Sequence, residues 1–119
     1  MIKMISLVPR KPGMSREDFI AHYENRHVRL ILSLFPLTAR YIRNYPLTQN
    51  LHYAGSLDIH YDAVTEIWYA SEKDYQSTMA DFAQNPEKFR LLSEDEERFC
   101  DKKNMVMFLV EERETGVAG

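Results

Sequence analysis

The chain is short of several things, and each shortage excludes something. Cys100 is the single cysteine in 119 residues, so no internal disulfide forms and a cysteine-based zinc cluster has no ligand set. Four glycines are present, and no segment has the glycine-rich pattern that cradles phosphate, which argues against a nucleotide site. Positive charge is not in excess, since 15 Lys and Arg face 18 Asp and Glu for a formal net charge of −3. Proteins that grip nucleic acid or anionic membrane usually carry the opposite balance. The Lys/Arg-Gly-Phe aromatic motif of RNA-binding sheets is missing too. No apolar run approaches the ~18 residues that span a bilayer, and the apolar stretch of MIKMISLVPR is too short for a secretory signal. The expectation is a cytoplasmic protein with neither nucleic acid nor membrane as partner.

What is present suits one ordinary core. Apolar residues make up 45% and charged residues 28%, the balance of a globular chain, and the length leaves no room for two domains. Ile2 to Val8 is an apolar run that reads as a buried strand, ended by Pro9 and the turn Lys11-Pro12-Gly13. Ser15-Arg16-Glu17-Asp18 is a capping-box variant that opens a helix running to about Leu34, before Pro36. With Phe19 at 0° and a step of about 100° per residue, Leu30, Tyr23, Leu34, His27, Ile20 and Ile31 fall within an arc of about 120°. His27 therefore sits inside an apolar face, while His22 falls on its flank.

Leu37 to Pro46 reads as a second strand, and a long polar connection, about Leu47 to His60, follows it. A connection of that length is commonly functional or an interface arm. Ala63 to Ala70 is a third strand, and Ser71 caps a helix whose apolar positions are Tyr75, Met79, Phe82 and Ala83. Asn85-Pro86 restarts the chain as a third, shorter helix with Phe89, Leu92 and Phe99 on its buried face. Asn104 to Glu111 is the last strand. The division is a single domain over residues 1–112 and a frayed tail over 113–119.

The order is β-α-β-β-α-β with an extra short helix. This is the ferredoxin-like arrangement of the α+β class, a four-stranded antiparallel sheet with helices on one face. The other face needs cover, because neither Met105 to Val110 nor most of Ala63 to Ala70 alternates apolar with polar residues. A homodimer through the sheet face supplies that cover most simply.

Lys11-Pro12-Gly13-Met14-Ser15, then Phe19, Tyr23 and His27 on one helix, then Arg40-Tyr41, Asp62 and Thr65 to Ser71 form an ordered set that resembles the EthD family. The resemblance spans about residues 2 to 111. It implies a dimeric α+β barrel of two ferredoxin-like subunits, and a relationship to methylmuconolactone isomerases, polyketide cyclases and cofactor-free oxygenases. Arg29 departs from the family pattern, which has proline there. Ile67 stands where the isomerase relatives carry a cysteine, which argues against the isomerase reaction itself. His27 and Tyr41 match the isomerase pattern and carry over as candidates.

His27 is the candidate general base or acid, weighed against a core histidine bonded to backbone. Tyr41 is the candidate hydrogen-bond donor to a substrate oxyanion, weighed against a packed strand aromatic. Tyr23, Ile31, Ile67 and Tyr69 are the candidate substrate-lining residues. Glu66 needs a partner if buried, by ion pair or across an interface, and is one example of a carboxylate that could approach His27. Glu94 to Glu97 reads as a solvated acidic face. No metal is expected: His22 and His27 lie about 140° apart by helical stepping, and His52 and His60 have no spaced partner. No cofactor is expected either, since a lone helix histidine is a poor haem signature.

Three functions remain open on these grounds. The first is an enzyme of catabolism or secondary metabolism that performs cofactor-free proton transfer or oxygenation on a small hydrophobic or aromatic carbonyl compound, an isomerase, cyclase, lyase or oxidoreductase. The second is a non-catalytic accessory protein that binds a hydrophobic metabolite, of the ether-degradation type. The third is a structural dimer without ligand.

Overall fold

The structure, a computed structural model, describes residues 1–47 and 60–118. Most of the 47–60 connection lies outside the described residues. Strand β1 (Ile2–Val8) leads to a helical run in three parts: α1 (Arg16–His22), a π turn (Tyr23–His27) and α2 (Val28–Leu34). Strands β2 (Thr38–Asn44) and β3 (Ala63–Tyr69) follow, then α3 (Glu72–Gln84), α4 (Pro86–Phe99), a 3-10 turn (Lys102–Asn104) and β4 (Val106–Val110). The four strands form one sheet in the order β2-β3-β1-β4, every neighbour antiparallel. Architecture and class are those expected. No helix among the described residues is long and apolar enough to cross a membrane.

Local signals explain where the helices start. Ser15 Oγ accepts from the Asp18 backbone N–H at 3.0 Å, and Ser71 Oγ accepts from Asp74 N–H at 3.1 Å, which satisfies donors that a helix leaves orphaned in its first turn. Asn85 caps α4 with Pro86 at its first position. The third helix is not the shorter one, since α4 has 14 residues and α3 has 13. Nor does Phe89 belong to its buried face: it is 60% exposed, and Asp95 and Phe99 are the buried residues of α4. Phe89 still leans on Phe82, with ring centroids 6.0 Å apart.

The strand registers sort side chains into two faces, because successive residues alternate across a sheet. Met4, Ser6 and Val8 pair with Ile67, Thr65 and Ala63 and face the helices. Lys3, Ile5 and Leu7 pair with Trp68, Glu66 and Val64 on the face that no helix covers. There the Trp68 ring lies between the Lys3 ammonium at 4.7 Å and the Arg40 guanidinium at 5.1 Å. Lys3 also pairs with Glu66 at 3.1 Å, so Glu66 has its partner on the bare face. Along β4, Val106, Met107, Phe108 and Leu109 are all 40% exposed or more.

The end of α4 is tied to the end of β1. Lys11 N–H donates to the Phe99 carbonyl and Asp101 N–H to the Pro9 carbonyl, each at 2.9 Å. This clamp sets α4 beside the first helical run. Phe99 is fully buried there, with Phe19 and Tyr23 packed around it at centroid distances of 5.5 and 5.2 Å.

Candidate functional site

His27 lies on the π turn, 6% exposed. Val28 N–H bonds to the Tyr23 carbonyl, five residues back. A π turn closes i→i+5 instead of i→i+4, so residues five apart stand one turn apart. That brings His22 and His27 to the same neighbour. His27 Nδ1 lies 2.7 Å from Asp95 Oδ2, and His22 Nε2 lies 2.9 Å from Asp95 Oδ1. An ionised carboxylate only accepts hydrogen bonds, so both ring nitrogens donate. Burial alone would push the Asp95 carboxyl up, but the hydrogen bonds from His27 and His22 outweigh it and hold the carboxyl below its ordinary value.

With Nδ1–H committed to Asp95, Nε2 is the acceptor of the neutral His27 ring. Nε2 has no hydrogen-bond partner among the described residues. Trp68 Nε1 is the only side-chain nitrogen or oxygen among them that is both sealed off and unpartnered. His27 Nε2 is therefore reachable, and His27 lines a cavity of about 450 Å³ between the helices and the sheet. The ring is braced by Phe99, with centroids 4.8 Å apart, and by Tyr23 at 5.2 Å. His22 stacks on Phe99 as well, with ring centroids 4.6 Å apart.

Tyr41 reaches the same cavity from β2, with the Arg43 guanidinium 5.0 Å from its ring centre. Burial pushes the Tyr41 phenol far up, aided by neighbouring Tyr23, so the hydroxyl keeps its proton. Tyr23 is buried and its hydroxyl is tied to Thr65 Oγ1 at 2.7 Å. Arg43 is held by Glu24 through bonds of 3.0 and 2.6 Å, and Tyr45 donates to the same carboxylate. This clamp fixes β2 against the helical run behind Tyr41.

Of the lining candidates, Tyr23, Ile31 and Ile67 border the cavity together with His27 and Tyr41. Tyr69 is buried at 2% exposure, and its ring packs edge-on against Tyr75 at 5.6 Å rather than bordering the cavity. The carboxylate that meets His27 is Asp95, not Glu66, which lies on the opposite face of the sheet. Two members of the acidic run do not lie on a solvated face. Asp95 is 5% exposed, and Glu96 lines the cavity. A signal for them existed: Leu92, Asp95, Glu96 and Phe99 have the 3- and 4-residue spacings of one helix face. Among the described residues, no group of three or more His, Cys, Asp or Glu is placed to hold a metal.

The EthD domain matches residues 11–103 of the chain. No curated protein matches the chain in sequence. An EthD family protein from Bacillus halodurans superposes with a TM-score of 0.66 at 18% identity, over 95% of this chain and 99% of that one. HapK from Hahella chejuensis gives 0.62 at 14% identity, over 100% and 99%. A dimeric ferredoxin-like protein from Thermobifida fusca gives 0.53 at 13% identity, over 92% and 88%. At such identities the structural likeness speaks for the fold alone. Together with the domain match over most of its length, it leaves one assignment: this chain belongs to the EthD family.

Proposed function

We propose that this protein is an enzyme that moves a proton on a small apolar carbonyl compound held between the helices and the sheet, and that it works as a homodimer. One observation carries the catalytic reading: His27 has Nδ1 fixed by Asp95 at 2.7 Å, Nε2 without a partner among the described residues, and its ring in the wall of a cavity of about 450 Å³. An imidazole held in one tautomer with its other nitrogen free is arranged for general base work. Nε2 takes a proton from the carbon next to the substrate carbonyl. The C–H pair becomes the enolate C=C, and the carbonyl π pair moves to oxygen. The Tyr41 hydroxyl, kept protonated by burial, donates to that oxygen. Asp95 steadies the imidazolium, which returns the proton at a new position. Ile31 and Ile67 supply apolar contact to the substrate body.

The dimer is supported by the bare sheet face. Val106 and Phe108 are 40% and 41% exposed on it, and a second copy of the same face is the self-complementary cover. The Thermobifida neighbour is described as dimeric.

The test is hydrogen exchange. Small aryl ketones and 1,3-diketones are incubated in D₂O with the protein, and loss of the α-proton signal is followed by NMR. The expected result is catalysed exchange of at least one compound that binds, lowered by a factor of about 10² to 10⁴ in His27→Ala, the usual worth of a general base. Binding without any catalysed exchange would overturn the enzyme reading in favour of a carrier.

A further inference from the structure

One acidic side chain in the cavity wall has no role in that scheme. Glu96 follows Asp95 on α4 and lines the cavity. Its carboxyl makes no hydrogen bond and no ion pair among the described residues. It is not sealed off either, because Trp68 Nε1 alone is both enclosed and unpartnered among them. The Glu96 carboxyl therefore keeps some exposure, as His27 Nε2 does, and both residues line the cavity. The cavity wall carries no lysine or arginine among the described residues.

The groups around Glu96 are few. Asp95 on its own helix adds negative charge, and Lys102 on the 3-10 turn opposes it. Lys102 directs its ammonium to Ser93 and to Glu97, the latter at 3.6 Å. The Cys100 thiol, one turn further on, is kept neutral by burial. His27 and Tyr41 reach the same cavity from the π turn and β2. Burial, aided by the Asp95 charge, outweighs Lys102 and pushes the Glu96 carboxyl up to about 7.

We propose that Glu96 contacts the ligand as a proton donor, and that it makes the cavity select a neutral molecule bearing an acceptor oxygen over a carboxylate of the same shape. This deepens the proposed function and rests on the cavity being a ligand site. A protonated carboxyl gives one O–H to a ketone, quinone or lactone oxygen. A carboxylate ligand finds no cation in the wall to replace its lost hydration. Once Glu96 ionises, such a ligand also meets a like charge. Two unpaired polar groups then describe the ligand between them. His27 Nε2 wants a proton to accept and Glu96 wants an oxygen to bond, and an enolisable ketone offers both.

The experiment uses two probes of one shape, 2-acetylnaphthalene and 2-naphthoate, titrated by calorimetry from about pH 5.5 to about pH 8.5, a range that brackets the Glu96 transition. The ketone is expected to bind throughout, with an affinity loss of no more than about tenfold as Glu96 loses its proton. Naphthoate binding should weaken as pH rises through 7, by up to about tenfold per unit. Glu96→Gln keeps an N–H donor and cannot ionise, so it should flatten the naphthoate profile, while His27→Gln should leave the downward trend in place. If the ketone binds but Glu96→Gln keeps the wild-type pH profile, or the two probes bind alike at the highest pH, the Glu96 proposal is overturned and the cavity reading stands. If neither probe binds at any pH, the cavity reading fails and takes this one with it.

Discussion

His22 and His27 meet on the two oxygens of one carboxylate, at 2.9 and 2.7 Å from Asp95. In an uninterrupted α-helix they would point about 140° apart. The π turn between them takes up the difference, and Asp95 is ionised because two donors converge on it.

Asp95→Asn should therefore loosen the site and the fold together. The amide offers one acceptor oxygen to two imidazole donors, so one histidine must turn or change tautomer. A loss of about 1–3 kcal/mol is expected in urea unfolding, the range for bonds to a charged group. Nitrogen-15 NMR of the His27 ring should report a mixture of tautomers where the wild type has one. An unchanged ring spectrum would mean that Asp95 does not set the tautomer.

The two neighbouring carboxyls on α4 act on stability in opposite ways. Asp95 has its folded pKa below 3.8, so its contribution is present above that value and is lost as pH falls through the lowered one. Glu96 is raised from 4.5 to about 7, so the folded form binds more protons than the unfolded chain between those values. Stability should fall as pH rises from 4.5 to about 7, by on the order of 1–3 kcal/mol. Melting curves at both ends of that window check it, and Glu96→Gln should remove the decline.

Tyr23 and Thr65 share a buried hydrogen bond of 2.7 Å, with Thr65 only 1% exposed. Tyr23→Phe or Thr65→Val alone should cost about 1–2 kcal/mol, because each strands a buried hydroxyl. The double variant should cost less than the sum of the two. A double-mutant cycle with no coupling energy would show that the bond does not hold the helical run to the sheet.

Val106 and Met107 separate assembly from binding. Val106 pairs with Leu7 on the bare face, and Met107 pairs with Ser6 on the helix side and lines the cavity. Val106→Glu should yield a folded monomer by light scattering, since a charge would be buried unpaired in the interface. Met107→Glu should leave the mass unchanged and weaken binding of a neutral apolar fluorophore. Wild type that is itself a folded monomer at micromolar concentration would end the dimer proposal.

The elements were legible because their signals are local. Ser15, Ser71 and Asn85 cap the helices they precede, and Ile2 to Val8 is the first strand residue for residue. The placement of His27 on an apolar helix face followed from periodicity, since a periodic face turns inward wherever the core is. Which carboxylate meets His27 was not legible, although the spacing of Leu92, Asp95, Glu96 and Phe99 marks one helix face. Helical stepping assumes a constant rise and turn, and the π turn at Tyr23–His27 breaks that assumption without a mark in the local pattern. Asp95 and Glu96 sit in a run of four acidic residues, and such a run is usually solvated. Two of its members are inside because the clamp of Phe99 and Asp101 onto Lys11 and Pro9 lays α4 against a helix some seventy residues earlier in the chain. Local sequence thus determined which segments are helix or strand and which faces are apolar. Only tertiary packing decided which charged groups meet the histidine, because burial and pairing belong to contacts between distant elements.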